Sequence, residues 1–183
     1  MELPTDIRER LSERDPEALG LLFDVFFQPI WRYLCRASRD QHVAEDLSQE
    51  VFLRAYRLAA GYDPARPVRP WLFKIATNVL HDHWQKLERA RSREPDLEER
   101  ETHLDRDPES PSVDMERAEL KAVLDREIGR LSETARVVVL LRIDQELEFP
   151  EIARILDIEV AAARKRYSRA MEALRESLQG RPE

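Results

Sequence analysis

The stretch from Glu148 to Arg169, EFPEIARILDIEVAAARKRYSR, reads as two short helices joined by a tight turn. Pro150 suits a first helical position, where its missing N–H costs nothing, and Ile152, Ala153 and Leu156 recur at helical spacing. Asp157-Ile158 turns the chain, and Val160 to Leu178 forms the last helix. Its first turns carry Arg164, Lys165, Arg166 and Arg169. Residues 164, 165, 168 and 169 share one helical face, so Arg164, Lys165, Ser168 and Arg169 can enter a major groove together, whereas Arg166 falls off that face. The pattern is a helix-turn-helix, and a basic second helix in that setting reads DNA rather than merely facing water.

Working outward, helical patterning continues in both directions. Only 4 glycines against 37% charged residues in 183 favour helices over turn-dense β structure, and 42% hydrophobic content allows real cores. The expected fold is all-α. A helix through Leu120, Val123, Leu124 and Ile128 ends near Leu131, and Ser132 can cap the next, which holds Val137 to Ile143. Near the other end, Asp15 before Pro16 starts a helix whose core stripe is Leu19, Leu22, Phe23, Phe26, Phe27, Ile30 and Leu34. Pro29 removes one donor there, which predicts a kink or break near Val25. A second helix runs from about Val43 to Ala60, with Gly61 as its stop and Glu45, Asp46, Gln49 and Glu50 on its polar face. Tyr62 to Pro70, with prolines at 64, 67 and 70, predicts a loop. The following helix, from near Trp71, is apolar at Leu72, Ile75, Ala76, Val79 and Leu87 and basic outside at Lys74, Lys86, Arg89, Arg91 and Arg93. Trp71 reads as core rather than as a stacking platform.

The net charge of −7 argues at first against nucleic acid. Its distribution reverses that. Glu94 to Glu119 holds eleven acidic and three basic residues, a net of −8, leaving +1 elsewhere. Residues 94–114 contain Pro95, Pro108 and Pro111 and little apolar surface with which to offset chain entropy, so they read as a flexible acidic linker. Two small helical domains result, residues 1–93 and 115–183. The lone Cys35 rules out a disulfide framework and reads as a small buried hydrophobe. His81 and His83 diverge on a helix and make a poor metal pair, and no Gly-rich phosphate loop or nucleophile–base arrangement is present. No metal, no cofactor and no enzyme activity are expected. Neither a membrane-spanning run nor a secretion signal is readable, which predicts no membrane insertion and a cytoplasmic protein.

Three blocks carry a resemblance. Ala44-Glu45-Asp46-Leu47-Ser48-Gln49-Glu50-Val51-Phe52-Leu53-Arg54-Ala55-Tyr56, Pro70-Trp71-Leu72-Phe73-Lys74-Ile75-Ala76-Thr77-Asn78 with Asp82, and the helix-turn-helix together resemble the extracytoplasmic-function branch of the sigma-seventy family. The resemblance implies that the first block, through Asp46, Gln49 and Glu50, binds core RNA polymerase. It implies that the second melts and holds the minus-ten strand of promoter DNA, with Tyr62, Arg66, Arg69, Lys74 and Asn78 as contacts for phosphate and an unstacked base. The third would read the minus-thirty-five element through Arg164, Lys165, Ser168 and Arg169. An anti-sigma protein is also implied as regulator, although it leaves no mark in the residues. Ala161-Ala162-Ala163-Arg164-Lys165 departs from the family's Gly-Thr or Gly-Ser pair, Pro150 replaces a common acidic residue, and Glu148 replaces a serine cap. These departures leave base contacts open, since Lys165 can meet a phosphate as readily as a base edge. A conventional helix-turn-helix regulator, with its N-terminal helices used for dimerisation or sensing, stands as the alternative.

Overall fold

The computed structural model describes residues 2–92 and 115–179, with side chains from Leu120 onward in the second stretch. The expected linker, 94–114, lies outside the described residues. Within them, every regular element is helical: α1 (Thr5–Ser12), α2 (Pro16–Ser38), α3 (Gln41–Leu58), α4 (Val68–Arg91), α5 (Met115–Arg130), α6 (Glu133–Ile143), α7 (Phe149–Leu156) and α8 (Val160–Gln179).

The helix starts follow capping chemistry. The Asp15 carboxylate accepts from the Ala18 N–H at 2.9 Å and Asp40 accepts from the Val43 N–H at 3.0 Å, so each aspartate satisfies a donor that its helix leaves free. The Ala18 bond, with the nearby charge of Arg10, holds the Asp15 carboxyl below its ordinary range despite partial desolvation. Ser132 stands at the N-cap of α6 but makes no capping bond. α7 starts instead with the Glu151 carboxylate accepting from the Glu148 N–H at 2.8 Å.

Phe23 and Leu87, read as core-facing, are 44% and 42% exposed, and four details of the elements also differ from the sequence reading. α1, not anticipated, is anchored by the wholly buried Leu11 and by Arg8, whose guanidinium donates to the carbonyls of Pro64 (2.6 Å) and Arg66 (2.9 Å). α2 is not broken at Pro29: one bond toward Val25 is forfeited, but Phe26, Ile30, Tyr33 and Leu34 on both sides are almost wholly buried and hold the helix across the gap. A 3₁₀ turn, Ala59–Gly61, ends α3, and Gly61 does not adopt a positive φ. α4 starts at Val68 rather than near Trp71, because Pro70 lies within the first turn, where no N–H is needed.

α2, α3 and α4 pack together as the N-terminal core. At its centre Tyr33 is edge-on to Phe73 at 5.4 Å and its hydroxyl meets Thr77 Oγ1 at 2.9 Å, and burial pushes the phenol's pKa up. In the C-terminal half, Val137 to Leu141 of α6 are all buried, while Ala163, Ala170 and Leu174 form the inner face of α8. The two halves also touch, α4 against α7 and the end of α2 against α5 and α6.

Candidate nucleic-acid interface

With residues 163, 170 and 174 turned inward, α8 leaves Arg164, Lys165, Ser168 and Arg169 exposed. Phe149 of α7 braces that face. Its ring meets Tyr167 edge-on at 5.5 Å and lies under the guanidinium groups of Arg164 (5.8 Å) and Arg142 (5.3 Å). Arg142 also donates to Glu148 at 2.9 Å and to the Leu147 carbonyl at 3.0 Å. Arg164 therefore starts from a held position at the rim, whereas Lys165, Ser168 and Arg169 are exposed along the helix. Arg166, off that face, lines a 400 Å³ cleft with Arg169, Arg130, Ser132 and Thr134 at the start of α6. Exposed cations clustered in this way can contact phosphate.

On α3, burial of Ala44, Ser48, Val51 and Ala55 turns Asp46 and Gln49 outward, and both are exposed. Glu50 differs. Its carboxylate is 2.7 Å from Arg54, which also donates to Asp82 of α4 at 2.7 Å. Hydrogen bonds to Glu50, then to Asp82, push the Arg54 guanidinium further up. Glu50 thus has an internal partner, and Asp82 is the clip that ties α3 to α4. Phe23, Phe27 and Phe52 form an aromatic cluster with centroids 4.9 to 6.3 Å apart, Phe23 stacked on Phe27 and both tilted against Phe52, and Phe23 is 44% exposed.

The loop before α4 is ordered by its own residues. Tyr62 is buried, packs on Trp71 at 4.8 Å and donates its hydroxyl to the Arg66 carbonyl at 2.5 Å. It braces the loop from inside, and Trp71, half-buried beside it, has a packing role as expected from the stripe. Arg66 is exposed and pairs with Asp63 at 3.2 Å, and Lys74 and Asn78 are exposed along α4. Arg69 is turned elsewhere: it donates to Gln145, in the connection between α6 and α7, at 3.2 Å. On the same helix, His81 approaches Gln85 at 3.2 Å while His83 is half-buried.

The contact between the two halves uses residues that sequence reasoning passed over. Arg36, in the last turn of α2, lies 2.7 Å from Asp125 of α5 and donates to Asp144 after α6. Arg136 of α6 is 8% exposed and, among the described residues, donates to the carbonyls of Ala37 (2.6 Å), Gly129 (2.8 Å) and Leu131 (3.0 Å). Burial, with the charge of Arg39 beside it, pulls its pKa down. The available signal was a cation set against the apolar run Val137–Leu141.

Two family models cover most of the described chain, Sigma-70 region 2 at residues 22–90 and Sigma-70, region 4 at residues 121–174. The RNA polymerase sigma-H factor of Pseudomonas aeruginosa is 32% identical over 180 residues, covering 93% of this chain and 91% of its own. The ECF RNA polymerase sigma factor SigW of Bacillus subtilis is 29% identical, covering 93% and 94%. Among solved structures, the sigma factor RpoE bound to the anti-sigma factor NepR from Bartonella quintana matches the fold with a TM-score of 0.75 at 18% identity, covering 89% of this chain and 98% of that one. CnrH bound to the cytosolic domain of CnrY matches with 0.72 at 21%, covering 97% and 98%.

Proposed function

The chain belongs to the extracytoplasmic-function branch of the sigma-70 family, and from that premise we propose a division of labour among its residues. As a sigma factor it binds core RNA polymerase and directs promoter-specific initiation, while polymerase supplies the chemistry. In our reading, residues 1–93 form the polymerase-binding and minus-ten domain and 115–183 the minus-thirty-five domain, joined by 94–114. Asp46 and Gln49 dock on polymerase, with Glu50 shaping that surface through its pairing with Arg54. Arg66, Arg69, Lys74 and Asn78 line the path of the melted strand, and Tyr62 supports the loop that presents them. Arg164, Lys165, Ser168 and Arg169 face the upstream duplex.

No step here is covalent. Docking energy on one surface is spent to hold DNA open on another, where basic side chains neutralise phosphate and a loop accepts an unstacked base. Family membership also carries an anti-sigma protein as a proposed regulator. No described helix is long and apolar enough to cross a membrane, and the proposed working place is the cytoplasm.

The observation that carries this assignment is the outward Asp46–Gln49 edge of a helix whose opposite face is core, on the same chain as a free basic edge on α8. Run-off transcription with core polymerase tests it. The wild type is expected to direct start sites from a matched promoter library, and Asp46→Ala with Gln49→Ala to lose at least ~90% of product, on the order of the energy of two interface contacts. Full activity in the double variant would refute the docking assignment.

A further inference from the structure

Two charged side chains near the start of the chain hold the loop between α3 and α4. The first twelve residues are anchored by Leu3 and Leu11, both buried, and from that anchor Arg8 and Glu2 reach across. Arg8 Nη1 donates to the Pro64 carbonyl at 2.6 Å and to the Arg66 carbonyl at 2.9 Å, 56 and 58 positions away in the chain. Its Nη2 donates to Thr5 Oγ1 at 2.9 Å, which fixes the plane of the guanidinium. Glu2 accepts from the Val68 N–H at 2.7 Å. Val68 is the first residue of α4, and Pro67 before it supplies no side-chain cap. A carboxylate from outside the helix therefore satisfies one of its free donors and sits at its positive end.

These bonds give the loop an inner and an outer side. The Arg66 carbonyl accepts from Arg8 and also from the Tyr62 hydroxyl at 2.5 Å, so the carbonyls at 64 and 66 are committed inward, beside the buried Tyr62 ring. Asp63, Ala65 and Arg66 stay exposed, and Asp63 closes the turn by accepting from the Ala65 N–H at 3.0 Å. Arg8 is held at a cost to itself, because its Nε is buried without a hydrogen-bond partner among the described residues. What the arrangement secures is the backbone shape of the loop. Shape matters where one base must be chosen over others. A loop free to readjust accepts several bases at similar cost, whereas one fixed in advance rejects the wrong base by clash and by unmet hydrogen bonds. Pro64 and Pro67 already restrict this loop, and the bonds from Arg8 and Glu2 fix it further.

We propose that Arg8, assisted by Glu2, is a positioning residue for promoter selection: it clamps residues 62–68 in the shape that chooses the unstacked minus-ten base, without itself touching DNA. This rests on the sigma reading and gives the first helix a part in base choice.

The test uses the full-length chain. Arg8→Met keeps the stem and removes the donors, while Arg8→Lys keeps the charge but not the planar fork. In the free protein, amide hydrogen exchange at Ala65 and Arg66 should rise at least ~tenfold in Arg8→Met while the amides of α2 and α4 keep their protection, which separates a loosened loop from an unfolded domain. With core polymerase and a promoter library, preference for the favoured minus-ten base over the other three should fall about three- to tenfold in both variants, the scale of re-ordering a residue or two on binding. Preference at the minus-thirty-five element and the salt slope of promoter binding should both stay as in the wild type. Unchanged exchange in Arg8→Met overturns the clamp. Faster exchange with unaltered base preference overturns its role in selection, and so does full rescue by lysine. A salt slope reduced by about 1 identifies Arg8 as a phosphate contact and overturns positioning. If the wild type directs no start site, the selection role falls together with the sigma reading, while exchange still decides whether Arg8 holds the loop.

Discussion

Neighbouring acids on one helix face can have different work. Asp46 and Gln49 are exposed, but Glu50 shares Arg54 with Asp82. Glu50→Ala is therefore expected to lower stability by about 0.5 kcal/mol, the scale of a partly exposed ion pair. Asp46→Ala and Gln49→Ala should leave the urea midpoint unchanged while impairing polymerase binding, so unfolding and pull-down experiments on the three variants separate the roles. His83 offers a second residue-scale prediction. Burial, then the charge of Lys86, lowers its pKa below the ordinary 6.5. The unfolded chain then binds the proton more readily than the folded one, so this contribution is complete above about pH 6.5 and is lost as pH falls through that value toward the lower folded pKa. Melting temperature should decline more steeply from pH 7.5 to 5.5 in the wild type than in His83→Gln.

At the scale of elements, α2 and α4 are joined by a buried polar link. Tyr33→Phe keeps the ring against Phe73 but leaves the Thr77 hydroxyl without its 2.9 Å partner. A loss of about 1–2 kcal/mol is expected, visible as a lower urea midpoint at an unchanged slope. α8 calls for a binding measurement. If Lys165 meets a phosphate, Lys165→Ala in the polymerase complex weakens all promoters alike and reduces the salt slope by about 1; if it meets a base edge, the loss concentrates on one promoter position. Arg164 should behave more mildly than Lys165, because the Phe149 ring already holds part of its guanidinium.

For the whole molecule, the governing fact is charge. The chain carries −7 overall, −8 of it within residues 94–119 and +1 elsewhere, so its basic edges have no strongly positive field behind them. The isolated protein is expected to shift promoter duplex at least ~100-fold more weakly than its complex with polymerase, within the range separating specific from non-specific binding. Tight binding by the protein alone in a mobility-shift titration would instead favour a conventional helix-turn-helix regulator. The halves meet through Arg36 of the N-terminal one, set against Asp125 and Asp144 of the other, and through Arg136 of the C-terminal one, which donates back to the Ala37 carbonyl.

Much of this was determined by the sequence alone. Helical periodicity, aspartate caps before Ala18 and Val43, and the basic run after the Asp157 turn are local signals, set by residues a few positions apart. They suffice for an all-α chain with a helix-turn-helix and for the polar faces of α3 and α8. Tertiary structure decided whatever depends on residues far apart in the chain. It carried α2 unbroken past Pro29, because flanking core side chains outweigh one missing bond. It buried Tyr62, joined Arg54 of α3 to Asp82 of α4, and set Arg36 against acids more than eighty positions away. Periodicity reports which face of a helix is apolar; the partner that a polar side chain meets depends on how helices distant in sequence are brought together.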